Sequence, residues 1–119
     1  MSFDHERLEV YQLSLDFVVS AADVVAKLPR GRRHLVDQLN RASTSIVLNI
    51  AEGAGKYSRA DKRRYYLSAC GSATECAAIL DVCSRLRCID EDLQHRGKAV
   101  LVRVVAMLTR LAKNLEQPR

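Results

Sequence analysis

Little in this chain interrupts it. Two prolines and five glycines in 119 residues leave no stretch that reads as a long flexible linker. No window approaches ~18 consecutive apolar residues, so no membrane-spanning helix and no membrane partner are expected. The opening Met1-Ser2-Phe3-Asp4-His5-Glu6 lacks a basic stretch followed by an apolar one, so it does not read as a secretion signal. The expectation is a cytoplasmic protein.

Catalytic motifs are missing too. Di-metal carboxylate bundles need Glu-x-x-His repeats on facing helices, yet the third residue after Glu52 is Gly55 and after Glu75 is Ala78. His5, His34 and His95 are spread along the chain near helix starts and turns. No Gly-x-Ser-x-Gly supplies a nucleophile turn. Gly53-Ala54-Gly55-Lys56-Tyr57-Ser58 lacks phosphate-loop spacing and follows a helix instead of a strand. No Cys-x-x-Cys occurs. Cys70, Cys76, Cys83 and Cys88 sit along one expected helix, with adjacent ones separated by about 6–10 Å on its axis. That spacing disfavours both disulfides and zinc, and favours small buried thiols in a reducing compartment. No catalytic residue, metal or cofactor is expected, and the reading is non-enzymatic.

Apolar residues at 48% and charged residues at 28% are ordinary for a globular protein. A chain this long buries roughly 65% of its unfolded surface, enough for a core without staples. One domain over residues 1–119 is expected. Apolar side chains recur at alternating steps of three and four, the mark of a helix with one buried stripe. The stripes read Leu8, Tyr11, Leu15, Val18, Ala22 and Val25, then Leu35, Leu39, Ala42, Ile46 and Ile50. The third reads Tyr66, Ala69, Ala73, Cys76, Leu80 and Cys83, and the fourth Leu93, Val100, Val104, Met107 and Leu111.

Punctuation agrees with four helices over about residues 8–28, 33–54, 59–87 and 91–116. Pro29 and Gly31 break the first from the second. Gly53 and Gly55 suit a left-handed cap on the second. Ser58-x-x-Asp61 has capping-box spacing, Asp90 opens the fourth helix with acid in its first turn, and Pro118 closes it. Short connections between such helices predict an all-α, antiparallel up-down-up-down four-helix bundle. Leu101, Val102, Val105 and Leu108 lie outward of the strict fourth stripe, and surplus apolar surface of that kind marks a homo-oligomer interface.

Net charge is +5 and clustered. Lys56, Arg59, Lys62, Arg63 and Arg64 against Asp61 place +4 in residues 56–64, and Arg30, Arg32 and Arg33 form a second knot at the first turn. Such clusters draw polyanions through phosphate neutralisation and counterion release. Tyr57, Tyr65 or Tyr66 would stack on bases, although Tyr66, on the third stripe, is expected in the core instead. A turn centred near Lys56 sets residues whose numbers sum to roughly 112 at equal heights, assuming similar helical rise on both sides. A structural polar cluster of Arg41, Asn49, Glu52, Ser72 and Glu75 is then expected along helices two and three. Within it Arg41 pairs with Glu75, partly buried, and Glu52 with Arg64, while Ala42, Ser45, Ala69 and Gly71 let the backbones approach closely.

Those two helices also carry a resemblance. Gln38, Arg41, Ala42, Ser45, Ile46, the run Asn49-Ile50-Ala51-Glu52-Gly53, and Gly55 resemble a family of four-helix-bundle, ribosomal-RNA intervening-sequence proteins. Arg64, Ala69, Gly71, Ser72 and Glu75 on helix three, and Leu8, Val10, Tyr11 and Gln12, extend the likeness over about residues 7–115. Departures are Tyr11 for tryptophan, Val47 for proline, Lys56 for arginine and Ser68 for an aliphatic residue. The missing proline predicts a straighter second helix. The resemblance implies homopentameric rings. It extends to the accessory variability determinant protein of diversity-generating retroelements, a basic pentamer that binds nucleic acid and partners a reverse transcriptase. Two functional expectations follow: charge-led binding of RNA or DNA by a ring-shaped homo-oligomer centred on Lys56, Arg59, Lys62, Arg63 and Arg64, or a scaffold whose basic ends recruit an acidic protein partner.

Overall fold

The structure, a computed structural model, describes residues 2–116. It is an all-α, antiparallel up-down-up-down four-helix bundle of α1 (Glu9–Lys27), α2 (Arg33–Gly55), α3 (Arg59–Arg85) and α4 (Glu91–Asn114). Short 3-10 turns at Asp4–Arg7 and Arg30–Arg32 precede α1 and α2. Among the described residues there is no strand. The valines of α4 stay helical, because burying one face outweighs their modest helix cost. Pro118 lies outside the described residues.

Each boundary has a local cause. Leu28 is extended (φ −77°, ψ 132°), as a residue before proline must be, and α1 stops there. Ser58 caps α3 by accepting the Asp61 N–H at 3.0 Å, and Asp90 caps α4 by accepting the Leu93 N–H at 2.8 Å. The expected left-handed glycine after α2 is absent. The helix runs through Gly55, Lys56 is extended (φ −75°, ψ 153°), and no described glycine has positive φ. The left-handed residue is instead Arg87, with φ of 61°, in the turn after α3. That turn ends the helix two residues earlier than the spacing predicts.

α1 packs against α2 and α4, and α3 packs against the same two, so consecutive helices form the sides of a square. Phe17, Leu39, Ile46, Ile50, Leu80, Leu101 and Leu108 fill the middle. Each large side chain of this kind contributes about 1.5–3 kcal/mol by leaving water. The α2 and α3 stripes are those the spacing predicts. The α1 stripe is not: it consists of Val10, Leu13, Phe17, Ala21 and Val24, while Leu15 and Ala22 face outward. Both sets obey three-four spacing, and the structure buries the one that carries Phe17. α4 shows the same rotation. Leu101 and Leu108, expected outside the seam, are at its centre with Gly97, Val104 and Ala112, whereas Val100, Met107 and Leu111 are half-buried. Of the four residues expected to form surplus apolar surface, only Val102 is fully outward and Val105 partly so.

Helix spacing rests on two glycines, Gly53 and Gly97. A Cβ on Gly53 would lie 2.9 Å from Tyr66 Cε1, and one on Gly97 would lie 2.8 Å from Leu80 Cδ1. Gly71, expected at the α2–α3 contact, faces open space.

Candidate nucleic-acid interface

The α2–α3 turn stands at the end of the bundle where α1 begins and α4 ends. Gly53 leaves room for Tyr66 against α2, and α2 continues to Gly55, so the reversal is confined to residues 56–58. This shifts the register. Ser45 meets Ser72 at 2.9 Å, and Lys62 meets Ala54, so facing numbers sum to about 117, not 112.

Each of the five cations is already engaged. Lys62 Nζ donates to the carbonyls of Ala54 (2.8 Å) and Gly53 (3.5 Å), neutralising the last turn of α2. Arg59 donates to the Asn114 carbonyl and ties the start of α3 to the end of α4. Arg63 pairs with Glu116 at 3.6 Å, and its Nε is buried without a partner. Arg64 pairs with Asp61 at 3.4 Å, and Lys56 with Glu52 at 3.6 Å. The expected Glu52–Arg64 pair does not form: the register sets the two level, but each pairs with an oppositely charged side chain close to it in sequence. Five cations face three carboxylates, Glu52, Asp61 and Glu116, so the local excess is +2, half the +4 counted along residues 56–64.

The three tyrosines separate clearly. Tyr66 is core, and burial, followed by the charge of Asp4, raises its phenol pKa. Tyr65 is half-buried under two cations, with Lys56 Nζ at 5.1 Å and the Arg64 guanidinium at 4.9 Å from the ring centre. Tyr57 is wholly exposed. Beside them the first 3-10 turn lies against α2, and Phe3, Asp4 and His5 with Leu48, Glu52 and Lys56 border an open cleft of about 420 Å³. Of the cations near Tyr57 in sequence, Arg59 and Arg64 are exposed and Lys56 is half-buried. Arg30, Arg32 and Arg33 sit at the opposite end of the bundle, where Arg33 pairs with Asp37 at 3.3 Å.

The polar cluster lies midway along the α2–α3 seam, on its outer side. Arg41 binds Glu75, Ser45 and Ser72 share a hydrogen bond, and Asn49 Nδ2 donates to the Ser45 carbonyl (2.9 Å) and Oγ (3.0 Å). Arg41 is exposed and Glu75 only half-buried, so the pair is a surface pair. Glu52 stands apart from this network. Ser45, at its centre, is not among the residues singled out for the cluster. Its position one turn before Asn49 was the available signal. A further polar group, Asp81 with Lys98 (2.7 Å) and Gln94 (2.9 Å), bridges α3 to α4. Hydrogen bonds from Lys98 and Gln94 hold the Asp81 carboxyl below its usual pKa.

Among the described residues no three His, Cys, Asp or Glu side chains converge as a metal ion would require, and no helix is long and apolar enough to cross a membrane. The fold and its outer polar seam define a small four-helix-bundle protein with a basic, tyrosine-bearing end. The sequence model of the 23S rRNA-intervening sequence protein family matches residues 6–110, and the chain belongs to that family. The crystal structure of a protein of unknown function from the S23 ribosomal protein family of Bacteroides thetaiotaomicron shares the fold. Its TM-score is 0.79 at 24% identity, over 87% of this chain and 98% of that one. No curated protein matches the chain in sequence.

Proposed function

We propose that this protein binds RNA or DNA by charge, as a ring-shaped homo-oligomer whose protomers each present the α2–α3 turn. The observation that carries the reading is Tyr57, wholly exposed between Lys56 and Arg59 in sequence, with the exposed Arg64 five residues beyond Arg59. An aromatic in water gains from stacking on an unpaired base, and the flanking cations suit the phosphates on either side. A +2 excess per protomer is weak by itself. Repeated around a ring it becomes a continuous positive band. The family description refers to a 23S rRNA intervening sequence, which makes RNA the first ligand to test. Self-association draws support from an apolar groove of about 310 Å³ between α3 and α4, edged by Thr74, Ala77, Val102, Val105 and Ala106. A pentamer is the ring the family resemblance suggests, and the cytoplasm the compartment.

The experiment has an order. Light-scattering mass comes first, since a monomer contradicts the ring. Fluorescence anisotropy with labelled single- and double-stranded RNA and DNA then measures affinity against salt. Affinity should fall with a log–log slope of about −0.7 per phosphate contacted on a single strand. Arg64→Ala should weaken all sequences alike and flatten that slope by about one contact. Tyr57→Ala should cost about 1–3 kcal/mol on single strands and little on duplexes. No retention of any nucleic acid at low salt overturns the reading and leaves the scaffold with an acidic protein partner.

A further inference from the structure

The end of the bundle opposite the basic turn holds a second feature with chemistry of its own. Spacing along one helix would keep Cys83 and Cys88 apart. α3 however stops at Arg85, and Cys88 is no longer on it. The Arg87 N–H donates to the Ser84 carbonyl (2.9 Å) and the Cys88 N–H to the Cys83 carbonyl (2.9 Å), with Arg87 left-handed between them. This is a Schellman cap, whose first and last members turn their side chains toward one another. Here both of those members are cysteines. Covalent geometry across the 2.9 Å bond holds their Cα atoms no more than about 7 Å apart, and the angles at oxygen and nitrogen shorten the path further. A disulfide needs Cα atoms no farther apart than about 7 Å.

The two thiols differ in access. Cys83 is fully buried, while Cys88 packs on the core from one side and borders an open cleft of about 510 Å³ from the other. Lys27, Ser84, Arg87 and Asp90 also line that cleft, so a small polar reagent reaches Cys88 without unfolding. A 3.9 Å contact with the Leu86 carbonyl is the polar interaction of the Cys88 thiol, weak enough to give up. Both are free thiols in the structure.

We propose that Cys88 and Cys83 form a reversible dithiol–disulfide site, in which Cys88 takes the attack on a low-molecular-weight disulfide and Cys83 resolves it. The Cys88 thiolate attacks one sulfur of the small disulfide. That S–S bond breaks, a mixed disulfide forms, and one small thiolate leaves. Cys83 gives its proton to solvent and attacks Cys88 Sγ, expelling the second small thiolate. The protein loses two electrons and two protons, and the small disulfide is reduced to two thiols. The closed bridge would lock the α3–α4 turn around Arg87. Burial, with the nearby Cys88 charge adding to it, raises the Cys83 pKa.

The test uses the folded full-length chain with oxidised glutathione, acid quench, alkylation, and trypsin, which cuts after Arg85 and Arg87 and so separates the two cysteines. The expected product is a protein lighter by two hydrogens, in which fragmentation places the link between Cys83 and Cys88. Cys88→Ser should abolish both the link and the glutathione adduct. Cys83→Ala should leave Cys88 trapped as the mixed disulfide, and Cys70→Ser should change neither. Circular dichroism of each variant verifies the fold. A stable mixed disulfide at Cys88 in the unaltered protein, a link to Cys70 or Cys76, an intermolecular dimer, or no reaction at all would each overturn the proposal.

Discussion

Arg87 is the residue whose backbone works hardest. At φ of 61° its Cβ crowds the following carbonyl, a strain of about 1–2 kcal/mol that glycine does not feel. Arg87→Gly should therefore stabilise the protein by about 0.5–1 kcal/mol, the strain relief being partly offset by greater freedom in the unfolded chain. A urea midpoint that fails to rise would contradict the assignment of strain. Glycines fill other needs here. Gly53 and Gly97 sit in ordinary helical conformation and matter for what their missing Cβ leaves room for, Tyr66 and Leu80. Composition counts glycines but does not say which one faces a ring.

At the scale of elements, pattern and outcome agree best where a helix has one apolar face. α2 is such a helix, and Leu35, Leu39, Ala42, Ile46 and Ile50 are buried as their spacing predicts. α1 and α4 carry apolar residues around more of the circumference, so more than one stripe satisfies three-four spacing, and both helices settle one residue away from the first choice. The α2–α3 pair shows the same limit in translation. Carrying α2 through Gly55 moves the facing register by about five residues. Glu52 and Arg64, which this register sets level, pair instead with Lys56 and Asp61 close in sequence, and of the two expected pairs only Arg41–Glu75 forms. That surviving pair is 64% and 40% exposed, so its coupling should be small. A double-mutant cycle of Arg41→Met and Glu75→Leu by urea unfolding should give under ~1 kcal/mol, fading in 1 M salt. Coupling that ignores salt would mean the pair is drier than its exposure indicates.

For the whole molecule the buried ionisable groups set a pH response. Burial, aided by the charge of Glu75 and opposed by that of Arg41, pushes the Cys76 thiol from an ordinary value of 9.0 up to about 12. Cys70, Cys83 and Tyr66 are raised for the same first reason, burial. The unfolded chain releases these protons at ordinary values while the folded chain holds them. Their contribution is thus complete below about pH 9 and is lost as pH rises toward 12. By pH 11 Cys76 alone should cost on the order of 2 kcal/mol. Urea midpoints between about pH 8 and 11 should fall, and less steeply in Cys76→Ala, measured against its own neutral value. A flat profile would show that water reaches these thiols in the folded state.

The amino-acid order alone determined that this chain is four helices, where most of them begin, and that they return on one another in a bundle. Those properties follow from nearest turns: three-four spacing, a serine or aspartate accepting the N–H three residues on, a proline refusing the next turn. Tertiary structure decided which of two apolar stripes on α1 and α4 points inward, and how far α3 slides along α2. It also decided which cations at the basic end remain exposed and which hold the bundle closed. The physical reason is that a helix sees its own neighbours at fixed spacing, whereas rotation and sliding between helices are chosen by contacts distant in sequence, such as Gly53 against Tyr66 and Gly97 against Leu80.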